Sequence, residues 1–521
     1  MLDPGTKGMH RLNAAEYNNT VADVLGTTLQ PANSGWRGGE LAGFDNIASV
    51  LGVDDAQFQR YFDAAQALAA EVMASDKLRA RFVSCELTAP ACVTSSITRA
   101  GLRLLRRPLE PDEQQTYQHV YDLARESGDD EPSAFGLVLQ AMLSNADFLF
   151  RIELDTAPTS TVAHPLRPFE LASRLSYFLW SSAPDDALLD AATNANLMDP
   201  TVLSATIDRM LADPKSERFV TNFAGQWLGA REVLSQPIFF QWSKQTAQAA
   251  SQEILLYFSD FLRSGRSWFE FPTADINFVD GPLAYHYGIP TGQTDVGIFE
   301  RVEYHDDERA GYLGLAGFLS VTSIDRRTSP SRRGRWIAGN LLCREPPQPP
   351  PNVPMLDSGQ GGAGGGGGSA TLDIRQRLKM HQQNPGCATR HTLFDPYGLA
   401  LEHYDALGLF RPTYDDGTPI DTSVVLPGSP SHPEGSAVDG LDGLAGAISA
   451  DPGFGACLAR KLLTYGLGRT MTSSDEPHLQ QAVGQWLDPN QTPSIARLIH
   501  ALVSTPAFLS RRGGDSGSAQ P

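Results

Sequence analysis

The 521-residue chain has no run of the ~18 apolar residues that a membrane-spanning helix requires. Met1-Leu-Asp-Pro-Gly5 does not begin a secretory signal, and no transmembrane segment is expected. Positive charge is scarce: 41 Lys and Arg stand against 60 Asp and Glu, a formal net charge of −19. Such a surface repels polyanions and argues against nonspecific binding to nucleic acid or an anionic membrane. A Gly-x-Ser-x-Gly elbow, a Walker loop, a His-Glu-x-x-His helix and a strand-led Gly-x-Gly-x-x-Gly are all missing, so the sequence defines no catalytic constellation. Cysteine is limited to five residues.

Hydrophobic residues make up 41% of the chain, enough at this length for two to four domains with cores of their own. The patterning reads as mainly α: multi-helix bundles, a small irregular segment, and a short β-hairpin near the C-terminus. Asn13-Ala-Ala-Glu16 has capping-box spacing, with Tyr17, Val21, Val24 and Leu25 following at helical intervals. This predicts a helix over about 13–25, stopped by Gly26. Further helices are predicted near 56–75, 95–106, 112–127 and 134–144, with Arg103, Arg106 and Arg107 as a solvated basic helix end. From 167 to about 265 the pattern is again helical, and the aromatic stripes at 175–180 and 254–261 read as core.

Asp275, Asn277 and Asp280 read as a solvated turn, without the twelve-residue loop of an EF-hand. Residues 399–407 read as a helix whose Glu402 and Asp405 face solvent beside His403. A hairpin is expected over 410–426, and helices at 441–448 and 457–466. A polyproline strap at 346–354 precedes a glycine-rich hinge at 359–369. Six segments follow: helical domains at 1–80, 81–155 and 156–300, a composite segment at 301–430, a helical domain at 431–512, and a disordered tail at 513–521. Ser-x-x-x-Phe-Leu-x-Arg occurs twice, from Ser144 to Arg151 and from Ser504 to Arg511, as though two helical modules ended alike.

Cys85 and Cys92 bracket a short loop before a helix, which suits a local disulfide worth roughly 2.5 kcal/mol; the alternative is buried thiols in a reducing compartment. Arg326, Arg327, Arg332, Arg333 and Arg335 crowd ten residues of an acidic chain. Their guanidinium forks suit an anion or a carboxylate-bearing partner surface, or equally the protein's own carboxylates. Cys387-Ala-Thr-Arg390-His391 is one substitution from Cys-x-x-Cys-His, in which two thiols take haem vinyl groups and the histidine binds iron. A haem c held by one thioether at Cys387 would have His391 as proximal iron ligand and His381 or His403 as the sixth ligand. Otherwise the histidines make ordinary hydrogen bonds, or Cys387, His391 and His381 form a weakly specified zinc site.

Several stretches carry a resemblance in this order: His10–Gly26, Leu102–Glu113, Leu171–Ala192, Arg326–Pro354, the Asn384-Pro-Gly-Cys-Ala-Thr-Arg-His391 region and Cys457–Arg469. The chain resembles the planctomycete-type cytochrome c-associated multidomain proteins, also found in myxobacteria and built from domains of unknown function. The resemblance implies a periplasmic, cell-envelope or secreted location and a redox or electron-transfer setting, with a cytochrome or other envelope redox protein as partner. It makes the irregular segment a degenerate cytochrome c-like one, and it places Cys343 and Cys457 in neighbouring domains that a long-range bridge could join. Where the family motif typically has its second Cys this chain has Arg390, and where a Met often precedes Asp-Pro it has Phe394. A haem-free scaffold docking a cytochrome or a polymer-degrading partner is the competing expectation. A hydrolytic or oxidative enzyme acting on polysaccharide is a third, resting on no named residues.

Overall fold

The computed structural model describes residues 9–36, 38–153, 160, 162–194, 196–235, 242–292, 294–304, 308–324, 327–344, 374–382 and 385–512. The polyproline strap, the glycine-rich hinge, Arg326 and the tail lie outside the described residues. The fold is mainly α, and every strand of the described residues belongs to a short two-stranded antiparallel sheet. The chain divides into two compact units. One holds residues 1–223, 462–482 and 499–521; the other holds 224–461 and 483–498.

Local signals in the first unit work as their chemistry requires. Asn13 Oδ1 accepts from the Glu16 amide at 2.8 Å while Glu16 Oε2 accepts from the Asn13 amide at 2.9 Å, and helix Ala14–Leu25 ends on Gly26 at φ 79°. Helices Asp55–Ala74, Pro90–Leu104, Pro111–Glu126 and Glu131–Leu143 follow and enclose an apolar core that includes Tyr17, Leu68, Ile97 and Phe135. Cys85 is disulfide-bonded to Cys92 beside this core. Arg106 is no solvated helix end, because only 3% of it is exposed. Its guanidinium donates to the carbonyls of Phe148 at 3.1 Å and Phe150 at 2.7 Å, and to that of Asp147.

One arrangement occurs twice in this unit and accounts for the repeated Ser-x-x-x-Phe-Leu-x-Arg. Short helix Ala146–Leu149 runs into strand Phe150–Arg151, which pairs with His10–Arg11. Short helix Pro506–Leu509 runs into Ser510–Arg511, which pairs with His164–Pro165. Leu12 N donates to Leu149 O at 2.9 Å, and Leu166 N to Leu509 O at 3.0 Å. Each paired strand leads into a helix whose third residue returns a carboxylate to the cap amide, Glu16 to Asn13 and Glu170 to Arg167, both at 2.9 Å. An arginine six residues ahead of an acid clamps it in both places: Arg107 to Glu113 at 2.7 Å, and Arg469 to Asp475 at 2.6 Å. The preceding residue has a left-handed backbone each time, Arg106 at φ 61° and Gly468 at φ 62°.

In the second unit, helix Lys244–Arg263 buries Ile254, Tyr257, Phe258 and Phe261. A ladder of rings follows from Trp227 through Trp268 and Phe271 to Tyr312 and Trp336, with centroids 4.3–5.9 Å apart, spacings at which offset and edge-on pairs attract. Cys343 is bonded to Cys457. The expected turn at 275–280 is instead strand Ile276–Val279, paired with Glu300–Glu303. Asn277 is fully buried there, and Asp280 caps helix Gly281–Tyr287. The long-range pairing encloses Asn277, while Asp275 stays exposed.

Candidate functional site

The motif-bearing segment folds as two helices, Ile374–Gln382 and Pro385–Leu399. His381 lies on the first and Cys387 on the second, but their side chains lie outside the described residues. Four residues separate Cys387 from His391, which places both on one face of the helix. Further along the helix, His391, Asp395 and Gly398 are applied to helix Pro330–Trp336. A Cβ on Gly334 would lie 1.8 Å from Phe394 O, and one on Gly398 would lie 1.9 Å from Pro330 O. Only glycine permits so close a backbone approach.

His391 lies in that seam, 8% exposed. Its Nδ1 is 3.0 Å from each Asp395 oxygen, and Ser331 Oγ donates to Asp395 Oδ1 at 2.7 Å. Ser331 Oγ stands 3.5 Å from the same Nδ1. Serine, histidine and aspartate thus meet, but not as a nucleophile relay, which needs the serine on Nε2 and the acid on Nδ1. What the trio does is join two helices through a nearly dry carboxylate. Phe394 packs beside His391 with 5.1 Å between centroids and is 3% exposed.

His403 lies in the turn after the helix. The helix expected over 399–407 ends at Leu399, and a chain of turns follows. The His403 ring rests against Phe410, 5.3 Å between centroids. Glu402, expected to face solvent, is fully buried. Thr328 Oγ1 donates to its Oε2 at 3.0 Å and Tyr414 OH at 3.4 Å, with Arg411 Nη2 3.9 Å away, while Oε1 has no partner. Burial raises the Glu402 carboxyl above its usual range; Arg333, Thr328 and Arg411 pull against it.

The arginine cluster divides. Arg333 is fully buried and donates to the carbonyls of Leu401, Tyr404 and Asp405 at 3.0, 2.8 and 2.7 Å, and to Ser323 Oγ at 3.1 Å. Burial pushes its guanidinium down to about 10, with Glu402 opposing. Arg333 is therefore an internal strut that stitches 401–405 to its helix, and it is removed from the proposed anion-binding set. Arg327 is half-buried. Arg332 and Arg335 are exposed, three apart on one helix face.

A second buried polar cluster escaped the sequence reading. Glu253 Oε1 accepts from Asn277 Nδ2 and Tyr287 OH, both at 2.6 Å, and Asn277 Nδ2 also meets Tyr304 OH at 2.6 Å. Arg309 stacks 4.3 Å from the Tyr287 ring centre. Burial pushes the Glu253 carboxyl up to about 7, against the pull of its hydrogen bonds and of Arg309. The available signal was a glutamate inside the apolar stripe of its helix, between Ala250 and Tyr257.

Five domain-family models match in order along the chain, each described as a protein of unknown function: DUF1587 over residues 10–74, DUF1595 over 92–153, DUF1592 over 166–289, DUF1588 over 309–414 and DUF1585 over 434–508. The helical, disulfide-bonded chain therefore belongs to the planctomycete-type cytochrome c-associated multidomain proteins. The DUF1588 model bears the name PSCyt3, and its span covers both the arginine cluster and the Cys387–His391 helix. No curated protein and no solved structure matches the chain.

Proposed function

We propose that this chain is a haem-free binding or scaffold member of its family, acting outside the cytoplasm, in which the histidine of the former haem motif has become part of the core. One observation carries the reading: His391 is used in the seam with Ser331 and Asp395, on the helix face where the backbones touch at Gly334 and Gly398. A histidine that donates Nδ1–H to a carboxylate is also what a metal ligand needs. Here, however, the imidazole is already covered by protein, and Phe394 fills the space beside it. The residues present do not fit a haem held through His391. Two disulfides support an oxidising compartment, and no helix among the described residues is long and apolar enough to cross a membrane. Arg332 and Arg335 present their guanidinium groups outward for a carboxylate-bearing partner surface.

The test is to produce the chain in a periplasm equipped for c-type haem assembly. The purified protein is expected to show no Soret band, with an absorbance spectrum unchanged by Cys387→Ala. A Soret band that Cys387→Ala abolishes would overturn the reading.

A further inference from the structure

In the first unit, the loop at 105–110, the turn at 147–152 and the start of helix Pro168–Trp180 enclose a cleft of about 290 Å³. This approaches the size of small-ligand sites. Leu109, Ile152 and Phe169 supply apolar wall, while Arg106, Arg151 and Arg167 supply guanidinium groups.

The charges of the cleft do not cancel locally. Arg107 is taken up by Glu113 at 2.7 Å and by Asp147, which removes Asp147 as a free anion. Glu170 Oε2 is turned back to the Arg167 amide, and Glu110 stands exposed on the rim. Arg106 is buried, yet it meets only carbonyls and the Tyr177 hydroxyl, with no carboxylate in contact. A buried cation without a counter-charge is costly, and Arg106 also holds a left-handed φ of 61° of the strained kind that gathers at binding sites. Arg151, 5% exposed, is the exception, because Glu16 Oε1 stands 3.8 Å from its Nη1 and supplies its counter-charge. Arg167 is exposed at the mouth and meets no carboxylate among the described residues.

We propose that this cleft binds a small amphipathic carboxylate, its head between Arg106 and Arg167 and its apolar tail along Leu109, Ile152 and Phe169. An anion supplies the missing counter-charge, and the apolar wall rewards a tail by about 0.8 kcal/mol for each methylene it buries. The site is independent of the haem-free reading, since it uses none of the same residues.

Calorimetric titration of the full chain tests it, with decanoate as probe, decylamine as the same tail of opposite charge, and acetate as the head alone. Decanoate should bind saturably at one site, with decylamine and acetate at least tenfold weaker. Arg167→Gln should weaken decanoate about tenfold, the loss expected for one charged hydrogen bond, while the melting temperature stays unchanged because Arg167 is exposed. Absence of saturable decanoate binding, equal binding of decylamine, or an unchanged affinity in Arg167→Gln would each overturn the proposal.

Discussion

At the first strand join, the short helix Ala146–Leu149 is held by Arg106, which reaches back from the residue before the Arg107–Glu113 clamp. At the second join, Pro506–Leu509 is held by Arg174, which donates to Phe508 O at 2.5 Å and comes from the helix after the paired strand. The exchange has a steric cause. Where the first join has Arg106, the second has Gly468 with the same backbone twist, and a Cβ there would lie 2.4 Å from His10 Cε1. A side chain at 468 would have to displace the His10 ring and Arg151, and the donor arises elsewhere. Where the second join has Arg174, four residues after its capping glutamate, the first has Thr20, whose hydroxyl meets Tyr177 OH at 3.0 Å. Buried carbonyls at a helix end need donors; the backbone sets where the donor must arrive, and packing decides which residue sends it.

The two donors differ in electrostatics, and this orders the expected losses. Arg174 also pairs with Glu153 at 2.7 Å, with side chains 2% and 8% exposed, so Arg174→Ala takes its arginine away from a buried carboxylate. It should cost about 3–5 kcal/mol in denaturant unfolding. Arg106→Ala loses neutral acceptors only and should cost about 2 kcal/mol. Equal losses, or a larger one at Arg106, would show that the charge on Glu153 does not set the difference.

Glu253 in the second unit supplies an intermediate effect of another kind, because there the charge itself is the burden. Its folded value is raised from 4.5 to about 7, so the protonated form is the one that folding favours. Stability is full below about pH 4.5 and falls by about 3 kcal/mol as pH rises to 7. Glu253→Gln keeps an acceptor for Asn277 and Tyr287 but cannot ionise. Its stability should therefore stay level from pH 5 to pH 8 while that of the parent declines. A level parent profile would show that the carboxyl titrates normally.

Local features were legible in the sequence. The Asn13–Glu16 box, the helices of the first unit, the Cys85–Cys92 bridge and the aromatic cores all depend on residues within a few turns of one another. The repeated Ser-x-x-x-Phe-Leu-x-Arg was visible as well, though not the strand joins it belongs to. What escaped depends on distant partners. Glu402 looks solvent-facing by spacing and Arg333 looks like part of an anion-binding cluster, yet each is held by a residue 68–74 positions away. Ser331 could not be tied to Asp395 without the glycines that bring two helices into contact. For the motif, spacing alone placed Cys387 and His391 together, but only packing shows that the imidazole is already in use.

A nonreducing peptide map, by mass spectrometry, of protein taken from its native compartment reads the bridges and the motif cysteine together. Two linked peptides are expected, Cys85 with Cys92 and Cys343 with Cys457, and a Cys387 peptide carrying no haem. A haem adduct on Cys387, or free thiols at the four bridge positions, would contradict that expectation.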